Sequence, residues 1–233
     1  MEYKYIDFHC HKKIPTPDKE NILPIYSLDA CSRYGMVEID KDDYFTIGIH
    51  PWNFTHDLSN EMLEIIFEGL RANAENKNCL FIGETGLDFK SKKNTSQVEK
   101  QYLWLVRHLE LSKELNKGVV FHAVKAHNEI LKCLKQVHFK NSVFFHNFNG
   151  NRFEINQLLK FNSYFSLGQN LFQKNSKIVD NIKYIPLEKI LLESDDGYYS
   201  ILEIYQRASA LLNLQELKLK KQINDNFKNC QLF

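Results

Sequence analysis

Short runs rich in Val, Ile, Phe and Tyr alternate along this chain with longer segments in which apolar residues recur at three- and four-residue steps. That alternation argues for parallel strands joined by helical crossovers. The spacing predicts strands over residues 3–9, 24–28, 44–49, 79–84, 118–122, 142–146, 163–168 and 189–194. The clearest predicted helix covers 97–116, where Val98, Tyr102, Leu105, Val106 and Leu109 form one stripe. Shorter stripes run through Met62, Ile65, Ile66 and Leu70, through Ile130, Leu131 and Leu134, through Ile155, Leu158 and Leu159, and through Ile201, Leu202, Tyr205 and Ala208. Residues 12–23 hold two prolines and no apolar period, so a loop is expected between the first two strands. The expected fold is α/β: a distorted TIM-type barrel of seven to eight parallel strands with outer helices, as one domain over 1–233.

Composition adds exclusions. Lys+Arg 30 against Asp+Glu 29 leaves a formal charge of +1, so no general pull toward DNA or a membrane surface follows. The five cysteines are scattered, with no C-x-x-C spacing, which fits a reducing compartment rather than a disulfide framework or a structural zinc site. No apolar run approaches the ~20 residues of a membrane span, and no signal-like segment opens the chain. A soluble, cytoplasmic protein is expected, with no membrane association and no protein partner indicated.

The chemistry lies where the apolar runs end. His9 and His11 close YIDFHCH, Glu84 follows LFIG, His122 follows VVF, His146 follows VFF, and Asp195 follows ILLES. In YIDFHCH the strand period puts Asp7, His9 and His11 on one face, so two imidazoles can approach one cation. A buried Glu84 without a partner would be costly, and cations supply that partner. A carboxylate at Asp195 can bind a metal and take a proton from its water. Four His, one Glu and one Asp exceed what a single tetrahedral or five-coordinate ion needs, so the set suits two divalent ions, with Zn²⁺, Mn²⁺, Mg²⁺ or Fe²⁺ all compatible. Two ions ~3.5–4 Å apart are a device for hydrolysis.

The stretches DFHCH, GIHP, GETGLDF, FHAVKA, FHNFNG and LLESDD, in this order, resemble the TatD-like metal-dependent deoxyribonucleases of the amidohydrolase superfamily. The resemblance implies that His9, His11, Glu84 and Asp195 surround one metal, that Glu84 bridges to a second bound by His122 and His146, and that Asp195 is the general base. It implies a DNase, a 3′–5′ exonuclease on single-stranded or frayed DNA; the alternative within the superfamily is a hydrolase of a small amide, lactone or ester. Val124 stands where the family usually has Arg, which removes a phosphate contact, Asn149 stands where Ser is common, and residues 12–43 are shorter than the usual first unit.

Secondary candidates follow. His50 in GIHPWNF and Asn149 in HNFNG are candidates for substrate contact, and Asp88 is expected to orient a ligand histidine. Lys90, Lys92, Lys93, Lys12, Lys13 and Lys125 are candidates for backbone contact, and Trp52, Phe54, Phe148, Tyr198 and Tyr199 for base stacking. His56, His108, His127 and His138 are expected on the exposed surface.

Overall fold

The computed structural model describes residues 3–15, 18–32, 39–54, 58–90 and 95–231. Eight strands are hydrogen-bonded in chain order: β1 (Tyr5–Cys10), β2 (Ile22–Asp29), β3 (Tyr44–Gly48), β4 (Cys79–Asp88), β5 (Gly118–Val124), β6 (Val143–Phe145), β7 (Ser163–Leu167) and β8 (Ile190–Leu192). The helices are α1 (Asn60–Ala74), α2 (Thr95–Glu114), α3 (His127–Gln136), α4 (Arg152–Leu158), α5 (Lys177–Asn181), α6 (Ile201–Leu212) and α7 (Glu216–Asn229). Every predicted strand is present. Between β1 and β2 the described residues hold only a single 3-10 turn at Asp18–Glu20, as the prolines imply. No helix among the described residues is long and apolar enough to cross a membrane. The chain divides into two compact units, residues 3–26 with 144–231, and residues 27–143.

In the first unit β1 runs parallel to the start of β2 in the register Tyr5↔Ile22, Ile6↔Leu23 and Asp7↔Pro24, with a bulge before Cys10↔Tyr26. An isolated parallel bridge joins Cys10 to Asp195, just past β8. Phe8, Phe144, Phe145, Phe165 and Leu192 are fully buried. α6 begins at a reciprocal cap in which Ser200 accepts from the Glu203 amide and Glu203 accepts from that of Ser200. Its Tyr205 is buried, and the phenol oxygen accepts the Ile6 amide at 3.0 Å, tying helix to strand. α7 was not anticipated. Leu219, Ile223 and Phe227 give it a buried stripe at four-residue steps.

In the second unit β3, β4 and β5 are parallel neighbours. β4 runs four residues past its expected end, so Glu84 sits within the strand rather than closing it. The polar GETG stretch hides this continuation from an apolar-run reading. α2 packs Trp104, Leu105, His108 and Leu109 inward, with Phe67 of α1 against Trp104 at 5.4 Å between ring centroids.

Candidate metal centre

In the unit of residues 3–26 and 144–231, β1 buries His9 completely and delivers His11 just beyond its end. Their Nε2 atoms are 3.2 Å apart, and His11 Nε2 lies 3.4 Å from Asp195 Oδ1. The His9 and His146 rings stack at 4.5 Å. One ligand atom each from His9, His146 and Asp195 falls within 4.8 Å of the others. Asp195 adopts a left-handed backbone, φ 56°, after β8, and its amide donates to the His9 carbonyl at 2.9 Å. That hydrogen bond sets the carboxylate beside the imidazoles of β1.

Two further carboxylates support this cluster. Both oxygens of the fully buried Asp7 accept from Ser194, from its amide at 2.8 Å and its hydroxyl at 2.7 Å. Burial still pushes the Asp7 carboxyl up to about 7, with repulsion from Glu193 and Asp195 adding to it. Glu193 is likewise fully buried. Its Oε1 accepts from the Asn147 amide and lies 3.4 Å from His146 Nδ1, while its Oε2 has no hydrogen-bond partner. The Asn147 side chain in turn donates to Asp195 Oδ2 at 3.3 Å.

In the unit of residues 27–143, Glu84 Oε1 faces two imidazoles, His122 Nδ1 at 2.7 Å and His50 Nε2 at 3.3 Å. The two imidazole nitrogens are themselves 3.1 Å apart. β4 meets β5 through Thr85↔Phe121 and Gly86↔His122, after a bulge between Ile82 and Thr85 that swings Glu84 toward His122. Gly86 has φ 146°, and a Cβ there would lie 2.0 Å from the His122 carbonyl oxygen, so only glycine lets the strands approach this closely. Behind His122, Nε2 stands 3.3 Å from Asp88 Oδ2, which also accepts the Trp52 indole N–H at 2.6 Å. The hydrogen bond to His122 holds the Asp88 carboxyl well below the usual range, helped by Trp52 and the Lys90 amide. Gln101 of α2 completes this support, accepting from the Asp88 amide at 3.0 Å and donating to the Pro51 carbonyl at 3.3 Å.

These spacings fit a divalent cation. Ligand bonds of ~2.0–2.1 Å in a tetrahedron place neighbouring donor atoms about 3.3–3.4 Å apart. The His9–His11 pair at 3.2 Å and His11–Asp195 at 3.4 Å lie near that edge length. The donor set of imidazole and carboxylate suits zinc or manganese. His50 differs in one respect: its Nδ1 accepts from the Trp52 amide at 3.2 Å, which leaves the proton on Nε2. In that tautomer His50 donates to Glu84 and is no ligand.

The family model described as TatD related DNase matches residues 32–231. The chain belongs to this family. Among TatD relatives, a protein of Buchnera aphidicola named an uncharacterized metal-dependent hydrolase is 27% identical over 216 residues, 84% of this chain and 78% of that one. The human protein named 3′-5′ RNA nuclease TATDN2 is 29% identical over 168 residues, 70% of this chain but 21% of its own length. The crystal structure of YjjV, a TatD homologue from Escherichia coli, superposes with a TM-score of 0.79 at 19% identity, covering 97% of this chain and 96% of that one. The likeness shows the fold, the distorted TIM-type α/β barrel expected from the strand pattern. The protein is a TatD-family metal-dependent hydrolase.

Val124, in the place of the usual TatD arginine, ends β5, and Lys125 turns the chain with φ 55°. Asn149 points its amide oxygen at the Ser176 hydroxyl, 3.0 Å, and the Ile178 amide, 3.1 Å. Phe54 and Phe148 are core residues at 2% exposure, which removes them as stacking surfaces; Trp52 at 65% and Tyr198 at 92% are open. His138 is exposed and His127 half-buried, but the expectation of exposure fails for His108, which is fully buried. His108 Nε2 accepts the Ile49 amide at 3.1 Å and Nδ1 donates to the Trp104 carbonyl at 2.6 Å. Its place on the buried α2 stripe, four residues after Trp104, is the signal that reveals it. His56, Lys92 and Lys93 lie outside the described residues.

Proposed function

We propose that this TatD-family hydrolase is a phosphodiesterase acting on DNA, a 3′–5′ exonuclease on single-stranded or frayed ends, working with two divalent ions of zinc, manganese or magnesium. The observation that carries the reading is that His9, His146 and Asp195 gather at cation-ligand spacing in one unit and Glu84 meets His122 in the other, in a chain of a DNase-related family. His9, His11, His146 and Asp195 would hold one ion, and Glu84 and His122 the other. When bound, such ions lower the pKa of a water and neutralise charge developing on a phosphodiester oxygen.

The chain's own residues do the rest. Asp195 takes the proton from the attacking water, its carboxylate aimed by the Asn147 amide. Asp88 accepts from His122 Nε2, which turns the unprotonated Nδ1 toward Glu84. The Glu193 carboxylate, 3.4 Å from His146 Nδ1, favours a positive charge on the side of His146 it faces. His50 donates to Glu84 and fixes the orientation of its carboxylate. All five cysteines are free thiols, which supports a reducing, cytoplasmic setting.

The test is cleavage of end-labelled single-stranded DNA by protein loaded with Mg²⁺, Mn²⁺ or Zn²⁺. Nucleotides released stepwise from the 3′ end support the reading, and intact DNA under all three metals overturns it. Val124 favours one second reading, hydrolysis of a small amide, lactone or ester, because no arginine stands there to meet a phosphate. Turnover of a lactone or amide panel by a protein inert toward DNA selects it.

A further inference from the structure

The segment between β8 and α6 is held rigidly yet offers one bare aromatic ring. Lys12 Nζ donates to the Asp196 carbonyl at 2.8 Å and the Gly197 carbonyl at 3.0 Å. From the other side, Gln169 Nε2 donates to the Ser194 and Tyr199 carbonyls at 3.0 Å each, and its Oε1 accepts the Tyr199 amide at 3.0 Å. Ser200 then caps α6. Tyr199 is folded down, stacked on Phe172 at 3.6 Å with planes 11° apart. Tyr198 is not: the residue is 92% exposed and its ring stands 88° to that of Tyr199. A loop fixed by so many hydrogen bonds does not bend to bury that ring, and an exposed aromatic face on a rigid support is ready to stack without an ordering cost.

Next to the ring is a cavity of about 400 Å³, lined by Tyr198, Tyr199 and Ile201 together with Asp7, Asp195 and Lys12. Its volume suits a small ligand. Its charge selects which one. Asp7, Asp18, Asp195 and Glu203 line it against Lys12 alone, and the Lys12 ammonium is engaged by backbone carbonyls. A phosphate is repelled there, whereas a flat uncharged ring bearing N–H donors is matched on its face by tyrosine and on its edge by carboxylates.

We propose that Tyr198 is a stacking platform for a nucleobase of the substrate strand, seating the base beside Asp195 so that the neighbouring phosphodiester reaches the hydrolytic residues. This rests on the DNA-hydrolase reading and makes the substrate a strand with an unpaired, amino-bearing base at its reacting end. A base paired within a duplex cannot present its face to the ring.

Tyr198→Ala and Tyr198→Phe alter an exposed side chain and leave the core intact. The probe is a single-stranded octanucleotide with phosphorothioate linkages and 2-aminopurine near its 3′ end, titrated with Mg²⁺ protein and followed by 2-aminopurine fluorescence. Wild type and Tyr198→Phe quench the fluorescence, while Tyr198→Ala loses the quench and binds about 5- to 150-fold more weakly, the range expected for one base–aromatic stack. Against an octamer abasic at that position, wild type and Tyr198→Ala bind alike. Equal quenching and affinity in wild type and Tyr198→Ala, or no binding by wild type, overturns the platform. Failure of the hydrolase reading is seen separately, as intact ordinary DNA in the cleavage assay while the quench and its loss in Tyr198→Ala persist.

Discussion

His108 makes the stability of the protein depend on pH in a way that can be isolated by one substitution. Burial pushes its imidazole down to about 4 from an ordinary 6.5, and both ring nitrogens are committed in the neutral form, Nε2 accepting from Ile49 and Nδ1 donating to Trp104. Between those values the unfolded chain binds the proton and the folded chain does not. His108 therefore costs nothing above about pH 6.5, and stability is lost as pH falls toward 4. At pH 5 the loss is about 2 kcal/mol, and below 4 it levels at roughly 3 kcal/mol, from 1.36 kcal/mol per pKa unit. His108→Gln keeps an acceptor that reaches the Ile49 amide and cannot titrate. Urea unfolding at pH 7.5 and 5.0 should show wild type losing about 2 kcal/mol more than His108→Gln on acidification. Carboxylates titrate in both proteins and cancel in the comparison. Equal losses in the two proteins would refute the neutral, buried imidazole.

Further outcomes follow from the candidate site. Asp195→Asn should lower kcat by about 10²–10⁴, the usual worth of a general base, while keeping fold and metal content better than His9→Ala; steady-state rates with metal analysis decide, and unchanged turnover removes Asp195 as the base. Gly86→Ala drives a Cβ into the His122 carbonyl, and a circular-dichroism melt should show a Tm lower by roughly 5 °C or more, as ~2 kcal/mol implies for a chain of this size. Glu193→Gln removes the carboxylate behind His146 and should weaken metal binding about 10- to 100-fold, read by competition with a chromogenic chelator. A chelator should abolish hydrolysis, and one divalent metal should restore it; activity that survives exhaustive chelation contradicts a metal requirement.

The strands were legible because each is a buried apolar run, and such runs survive any reasonable reading of a sequence. His9, Glu84, His122, His146 and Asp195 stood out for the same reason, each a titratable group against apolar neighbours, although Glu84 and His122 lie inside their strands rather than at the ends. What escaped was encoded in geometry. β4 continues through GETG because Gly86 lets its backbone close on His122, and a polar stretch rich in glycine looks like a turn. His50 follows a strand and precedes a proline, so nothing along the chain pairs it with Glu84; their approach depends on the packing of β3 against β4. α7 escaped because its charged residues outnumber the stripe of Leu219, Ile223 and Phe227, although that four-residue repeat was readable. Glu193 looked like a neighbour of Asp195, and only burial shows it facing His146.

Anomalous diffraction from crystals grown with Mn²⁺ or Zn²⁺ will show whether imidazoles and carboxylates from separate strands hold divalent ions. Two peaks are expected, one within about 2.0–2.3 Å of ligand atoms from His9, His146 and Asp195, the other equally close to Glu84 and His122. No peak at these side chains, or metal bound only elsewhere on the surface, would contradict it.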